Sequence, residues 1–95
     1  MKIKSRYKIG QFWYKVIKLN ILKSAGLSDV SGASSSQFKR IFIDTEETEQ
    51  EQEATLIHET LEEINKIYDV GLNHHQIELL EITFHQWLTE NRLLK

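Results

Sequence analysis

The residue pattern changes period once, at Asp44, and that change restricts the chain to strands first and helices after. Before it, residues alternate. Ile3, Ser5, Tyr7 and Ile9 fall on one side of an extended backbone, and Lys2, Lys4, Arg6 and Lys8 on the other. This two-residue repeat belongs to a half-buried strand. Gly10-Gln11 interrupts it, and residues 12–17 resume with aromatic and β-branched side chains. The two runs predict a hairpin turning at Gly10. A helix over 11–25 competes with the second strand, because Phe12, Val16, Leu19 and Leu22 also fit a 3.6-residue spacing. "KRIFID" at 39–44 predicts a further strand. Between them, "SAGLSDVSGASSSQ" at 24–37 is rich in Ser and Gly and predicts a loop with room for short strand edges.

After Asp44 the repeat is helical. Asp44 and Thr45 offer N-caps, with Glu47 three residues beyond Asp44 as a capping box requires. Acids crowd the first turns, where the helix dipole favours them. Ala54, Ile57, Leu61, Ile64 and Tyr68 then form an apolar stripe, and Gly71 supplies a stop signal. Asn73 opens a second helix whose inner face reads Ile77, Leu80, Phe84, Trp87, Leu88 and Asn91. The expected fold is α+β: a small N-terminal antiparallel β-sheet of about three strands, followed by a C-terminal two-helix hairpin. Residues 1–44 are mainly β, helix one covers 45–70 and helix two 74–92. Ninety-five residues suit a single domain, 1–95.

Net charge is −2, but the charges are segregated. Residues 1–23 carry seven bases and no acid, whereas residues 44–63 carry nine acids and no base. The negative total and the lack of a reading motif argue against a nucleic-acid partner. Lys2, Lys4, Arg6 and Lys8 read as one solvated strand face. Phe12, Trp13, Phe84 and Trp87 read as core residues and not as stacking platforms. No apolar run approaches the ~20 residues of a membrane span, and the N-terminus lacks the apolar centre of a signal peptide. The chain is therefore expected to be cytoplasmic, with no membrane partner. Oligomeric state is not encoded in any of these signals.

The chain has no cysteine, so disulfides and thiolate zinc sites are excluded and a metal must be held by His, Asp or Glu. "LIHETLEEIN" at 56–65 contains His58-Glu59-x-x-Glu62, one residue away from the zinc helix H-E-x-x-H. Residues four apart stack on one helix face, so His58 and Glu62 stand in the metal-gripping places. Glu59 stands in the place of the general base, and glutamate is itself a legitimate zinc ligand. A third protein ligand is required. His74 follows the turn at Gly71 and is the first choice, with adjacent His75 equally a turn residue and His85 a second choice farther along helix two. Against this stands the plainer alternative of an acidic helix that happens to carry one histidine.

The order of parts resembles a group of small phage and prophage proteins with a minimal zincin-like pattern. Their typical line is a strand ending I-x-I-D, then T-L-L-H-E-x-x-H or T-L-I-H-E-x-x-E, then L-x-H-x-x-I and a helix ending near D-N or E-N. The matching residues are Ile41, Ile43 and Asp44; Thr55, Leu56, Ile57, His58, Glu59 and Glu62; Leu72, His74 and Ile77; and Glu90-Asn91. The match covers residues 40–91 and departs from the commoner pattern at Glu62. The resemblance implies a zinc-dependent metallopeptidase-like domain: His58, Glu62 and His74 as ligands, Glu59 as base, and an extended peptide or protein partner held at a sheet edge. The competing expectation is a non-catalytic phage accessory or protein-binding module that keeps the scaffold without the metal.

Overall fold

The computed structural model describes residues 2–20 and 32–94. Among these residues six elements follow one another: strands β1 (Arg6–Ile9), β2 (Phe12–Leu19), β3 (Gly32–Ser35) and β4 (Arg40–Asp44), then helices α1 (Glu49–Tyr68) and α2 (His74–Glu90). The α+β order is as expected. The sheet has four strands, in the order β1-β2-β4-β3. It is mixed and not antiparallel throughout, because β2 and β4 run parallel, with Val16 opposite Ile41. The expected loop at 24–37 contains β3 at its C-terminal end. Its residues 24–31 lie outside the described residues, as does the end of the helix weighed for 11–25; Phe12–Leu19 is strand.

The hairpin turns where the glycine predicts it. Ile9 pairs with Phe12, leaving Gly10-Gln11 as a two-residue loop, and Gly10 has φ +60°. A positive φ at the first central position suits a tight hairpin and favours glycine. A Cβ at Gly10 would lie 2.9 Å from the Tyr68 hydroxyl oxygen, so the exposed end of that side chain would have to shift to admit one.

One face of the sheet carries the core. Ile9, Tyr14, Val16, Ile41 and Ile43 bury against Leu56 of α1, with Tyr7, Ile64 and Ile67 partly buried beside them. The side of α1 that meets the sheet is polar to an unexpected degree: Thr55, Glu59 and Glu63 are buried along with Leu56. Part of the apolar stripe of the sequence instead turns toward α2. Ile57 and Leu61 line a groove of about 370 Å³ with Tyr7, Ile9, Phe84 and Leu88, while Tyr68, expected inside, is 60% exposed. On α2 only Ile77 is buried; Phe84 and Trp87 of its expected inner face are exposed. Phe12 and Trp13 are exposed as well, so none of the four aromatics read as core is in it.

The helix ends are set by residues other than those the pattern suggested. The capping box of α1 is Thr48 with Glu51, not Asp44 with Glu47, so the helix begins four residues later than expected. Asp44 is buried at the end of β4, where its carboxylate accepts from the Glu46 amide at 3.0 Å. α1 ends on Asp69 in the left-handed region, with Gly71 (φ +83°) continuing the turn. Asn73 caps α2 in a second capping box with Gln76. Among the described residues, no helix is long and apolar enough to cross a membrane.

Candidate metal centre

His58 and Glu62 occupy one column of α1, as their four-residue spacing requires. Asn65 continues that column and fixes the turn. Its side-chain Nδ2 donates to the Leu72 carbonyl at 3.0 Å, and its Oδ1 accepts from the Leu72 amide at 2.9 Å. Both orphan backbone groups of the turn are thereby satisfied, and the chain is held against α1 two residues before His74. The result is convergence: one ligand atom each from His58, Glu62 and His74 lies within 4.8 Å of the other two. The His58 and His74 rings stand edge to face, with centroids 5.9 Å apart. His75 is exposed and outside the group. His85 is also outside it, since its Nε2 is 3.1 Å from Glu53 Oε1.

Each histidine of the group has a carboxylate behind it. His58 Nδ1 lies 2.7 Å from Glu81 Oε1, on α2. A carboxylate can only accept, so Nδ1 carries a proton, and in the neutral ring Nε2 then keeps its lone pair. Glu62 Oε1 is 3.8 Å from that Nε2. His74 Nε2 lies 2.9 Å from Glu78 Oε1, which leaves its Nδ1 as the free ring nitrogen. A histidine whose second nitrogen donates to a carboxylate has a fixed tautomer and a more basic ligand atom, the usual arrangement behind a metal-bound imidazole. Glu78 and Glu81 were not singled out from the sequence. They share the α2 column of His74 at i+4 and i+7, and that spacing was the available signal.

The donor set of two imidazoles and one carboxylate is that of a three-ligand zinc site. His58 Nε2 and Glu62 Oε1, 3.8 Å apart, stand wider than the edge of a tetrahedral site, roughly 3.4 Å for bonds of this length, so the side chains must close in on an ion. His74, 72% exposed, has space to do so. The surroundings are acidic. Glu47 receives the Thr55 hydroxyl at 2.8 Å, and burial together with neighbouring Glu51, Asp44 and Glu81 pushes its pKa up despite that bond. Such a cluster raises the local concentration of cations.

Glu59 is 9% exposed and lies between α1 and the sheet. Burial raises its pKa above the ordinary carboxylate range, against the opposing pull of His58. Its neighbour Glu63 is fully buried and behaves oppositely. Burial pushes its pKa up, but hydrogen bonds from Tyr14 Oη (2.7 Å), Ser36 Oγ (2.9 Å), Ser34 Oγ (2.9 Å) and Lys66 Nζ (3.2 Å) outweigh it, and the carboxyl titrates low. Glu63 thereby ties α1 to β2 and to β3 with its following turn, and places edge strand β3 beside Glu59.

In comparisons with protein-family models, with curated proteins and with solved structures, the chain matches none.

Proposed function

We propose that this protein is a small zincin-like zinc protein of phage type, with His58, Glu62 and His74 as ligands and a peptide-bond hydrolase as its activity. The observation that carries the reading is the convergence of those three side chains from two helices. Zinc, when held there, supplies Lewis acidity toward water or a carbonyl oxygen. The chain's own residues do the rest. Glu81 and Glu78 orient the two imidazoles, and Glu59 holds or gives up a proton. A raised pKa suits Glu59 to that task, because a base works best when its pKa lies near the working pH. Among the described residues β3 is a sheet edge, and its free backbone groups suit an extended peptide added as a further strand. The zincin-like assignment and a host-cytoplasmic setting rest on the resemblance of residues 40–91.

The test is elemental analysis of protein purified without added metal, followed by peptide cleavage. One zinc per chain is expected, lost in His58→Ala and kept in Glu59→Gln, with cleavage lost in both. Metal content that does not change in His58→Ala would falsify the reading. A second reading, a protein-binding module without catalysis, is favoured by the outward side of α2, where Leu79, Ile82 and Trp87 are more than half exposed. Stoichiometric zinc without cleavage of any peptide, together with a partner retained through that face, would support it.

A further inference from the structure

The face of the sheet turned away from α1 has a charge pattern that the net charge conceals. The β1–β2 register sets Arg6 opposite Lys15, and the β2–β4 register sets Lys15 opposite Arg40. Three cations therefore form a row across three neighbouring strands. Like charges directly opposite each other destabilise a sheet, so the row is a cost unless an anion lies over it. Among the described residues no acid stands in the row. The described residues before Asp44 hold eight Lys and Arg and no Asp or Glu. Aromatic rings are interleaved with the row. Arg6 lies over the Trp13 ring at 4.5 Å, and Arg40 over the Phe38 ring at 5.8 Å. Trp13 is 52% and Phe38 63% exposed. Between them is a cleft of about 410 Å³ lined by Arg6, Trp13, Lys15, Phe38, Lys39 and Arg40.

Exposed aromatics set among a line of cations fit a chain that alternates flat bases with phosphates. Bases stack on rings whatever their identity, and the cations follow the backbone. A duplex keeps its bases stacked on one another and would meet only the charges. We propose that this open sheet face binds single-stranded nucleic acid, with a base in the cleft beside Trp13 and Phe38 and phosphates over Arg6, Lys15 and Arg40. Total charge and the lack of a reading motif argue against a nucleic-acid partner, but the register gathers three cations on one face, while the acids of the described residues begin at Asp44, buried at the end of β4. The site is separate from the metal centre and does not depend on it.

The probes are fluorescently labelled single-stranded RNA and DNA of about a dozen nucleotides, within the reach of one small domain. A duplex of the same sequence and dextran sulfate serve as comparisons, with binding read by anisotropy at low salt. The Trp87→Phe chain is used so that tryptophan emission reports Trp13 alone. Expected are single-strand binding at least about tenfold tighter than duplex binding and quenching of Trp13. A log–log salt slope near −2 is expected for three contacted phosphates, since each contributes about −0.7 on a single strand. Lys15→Gln or Arg40→Gln should make that slope shallower. Trp13→Ala should weaken binding about fivefold or more with the slope kept, and Trp13→Phe should restore it. Circular dichroism shows that each variant is folded. Two results overturn the proposal: no binding of either single strand at low salt, or binding that duplex and dextran sulfate match and Trp13→Ala leaves intact.

Discussion

Asn65 and Leu72 are joined at two points, side-chain amide to backbone amide, and this link sets the distance between α1 and the start of α2. Asn65→Ala removes both bonds and leaves the Leu72 amide and carbonyl to water. A loss of about 1–3 kcal/mol is expected, since each intramolecular bond contributes roughly 1 kcal/mol net. In a domain of this size that lowers Tm by several degrees, on the order of 4–8 °C per kcal/mol. Zinc affinity should fall by about tenfold or more, because His74 is no longer held near His58. Melting followed by circular dichroism, and competition with a chromogenic chelator, measure the two effects separately. An affinity unchanged in a destabilised variant would show that the turn does not position His74.

Glu81 is expected to act on the metal only through His58. Glu81→Ala releases the Nδ1 proton from its acceptor, and the ring is then free to turn or to change tautomer. The loss in zinc affinity should be about 10–100-fold, the range for removal of such an outer carboxylate. Glu81→Gln keeps an acceptor oxygen and should recover part of it. Glu78→Ala should cost less, because His74 and Glu78 are both largely exposed and water replaces the carboxylate readily.

A bound ion should stabilise the fold, and chelation should reverse this. At a free zinc concentration about 100 times Kd the gain is about 2.7 kcal/mol. His74→Ala separates ligand from scaffold. The side chain is 72% exposed, so the metal-free variant should melt with the wild type while its zinc-dependent rise in Tm disappears. Differential scanning calorimetry with zinc and with EDTA gives all four values.

The change of period at Asp44 carried the element order, and the spacing 58, 62, 74 carried the group that converges. What local pattern could not carry was made by tertiary pairing. β3 is Gly-Ala-Ser-Ser, with no apolar alternation; its serines matter because Ser34 reaches a carboxylate on α1. The parallel pairing of β2 with β4 joins segments that are not adjacent in the chain, so a hairpin rule has no bearing on it. Ile57 and Leu61 of the α1 stripe point to α2 and not to the sheet, since the sheet and the turn after β3 offer Tyr14, Ser34 and Ser36 as donors and so accept a glutamate where an aliphatic residue was expected. Glu78 and Glu81 lie off the apolar face of helix two, on a polar column that turns back to the ligands, so the apolar pattern carries no trace of them.

Glu59 and Glu63, one turn apart on the buried side of α1, should respond to pH in opposite directions. Glu63 has a folded pKa below its ordinary value near 4.5. Its contribution to stability is complete above that value and is lost as pH falls through the folded pKa. Glu59 has a folded pKa above the same ordinary value. Stability linked to it is complete below about 4.5, the ordinary value, and is lost as pH rises through the raised folded pKa. Glu63→Gln should therefore destabilise at neutral pH, since an amide group would face donors from Tyr14, Ser34 and Ser36. Its deficit against wild type should narrow as pH falls below the ordinary value near 4.5 and on through the lowered folded pKa, where the wild-type carboxylate also takes up its proton. Tyr14→Phe removes one charge-assisted bond and should cost about 1.5–3 kcal/mol at neutral pH. Glu59→Gln should instead hold or raise the metal-free Tm at neutral pH, because a neutral amide avoids charging a buried group. Its difference from wild type should vanish in acid. Thermal melts of the three metal-free variants from pH 3 to 8 test the pair together. A Glu59→Gln chain that loses stability at neutral pH as Glu63→Gln does would mean that Glu59 is a structural anchor of the α1–sheet junction and not a proton carrier.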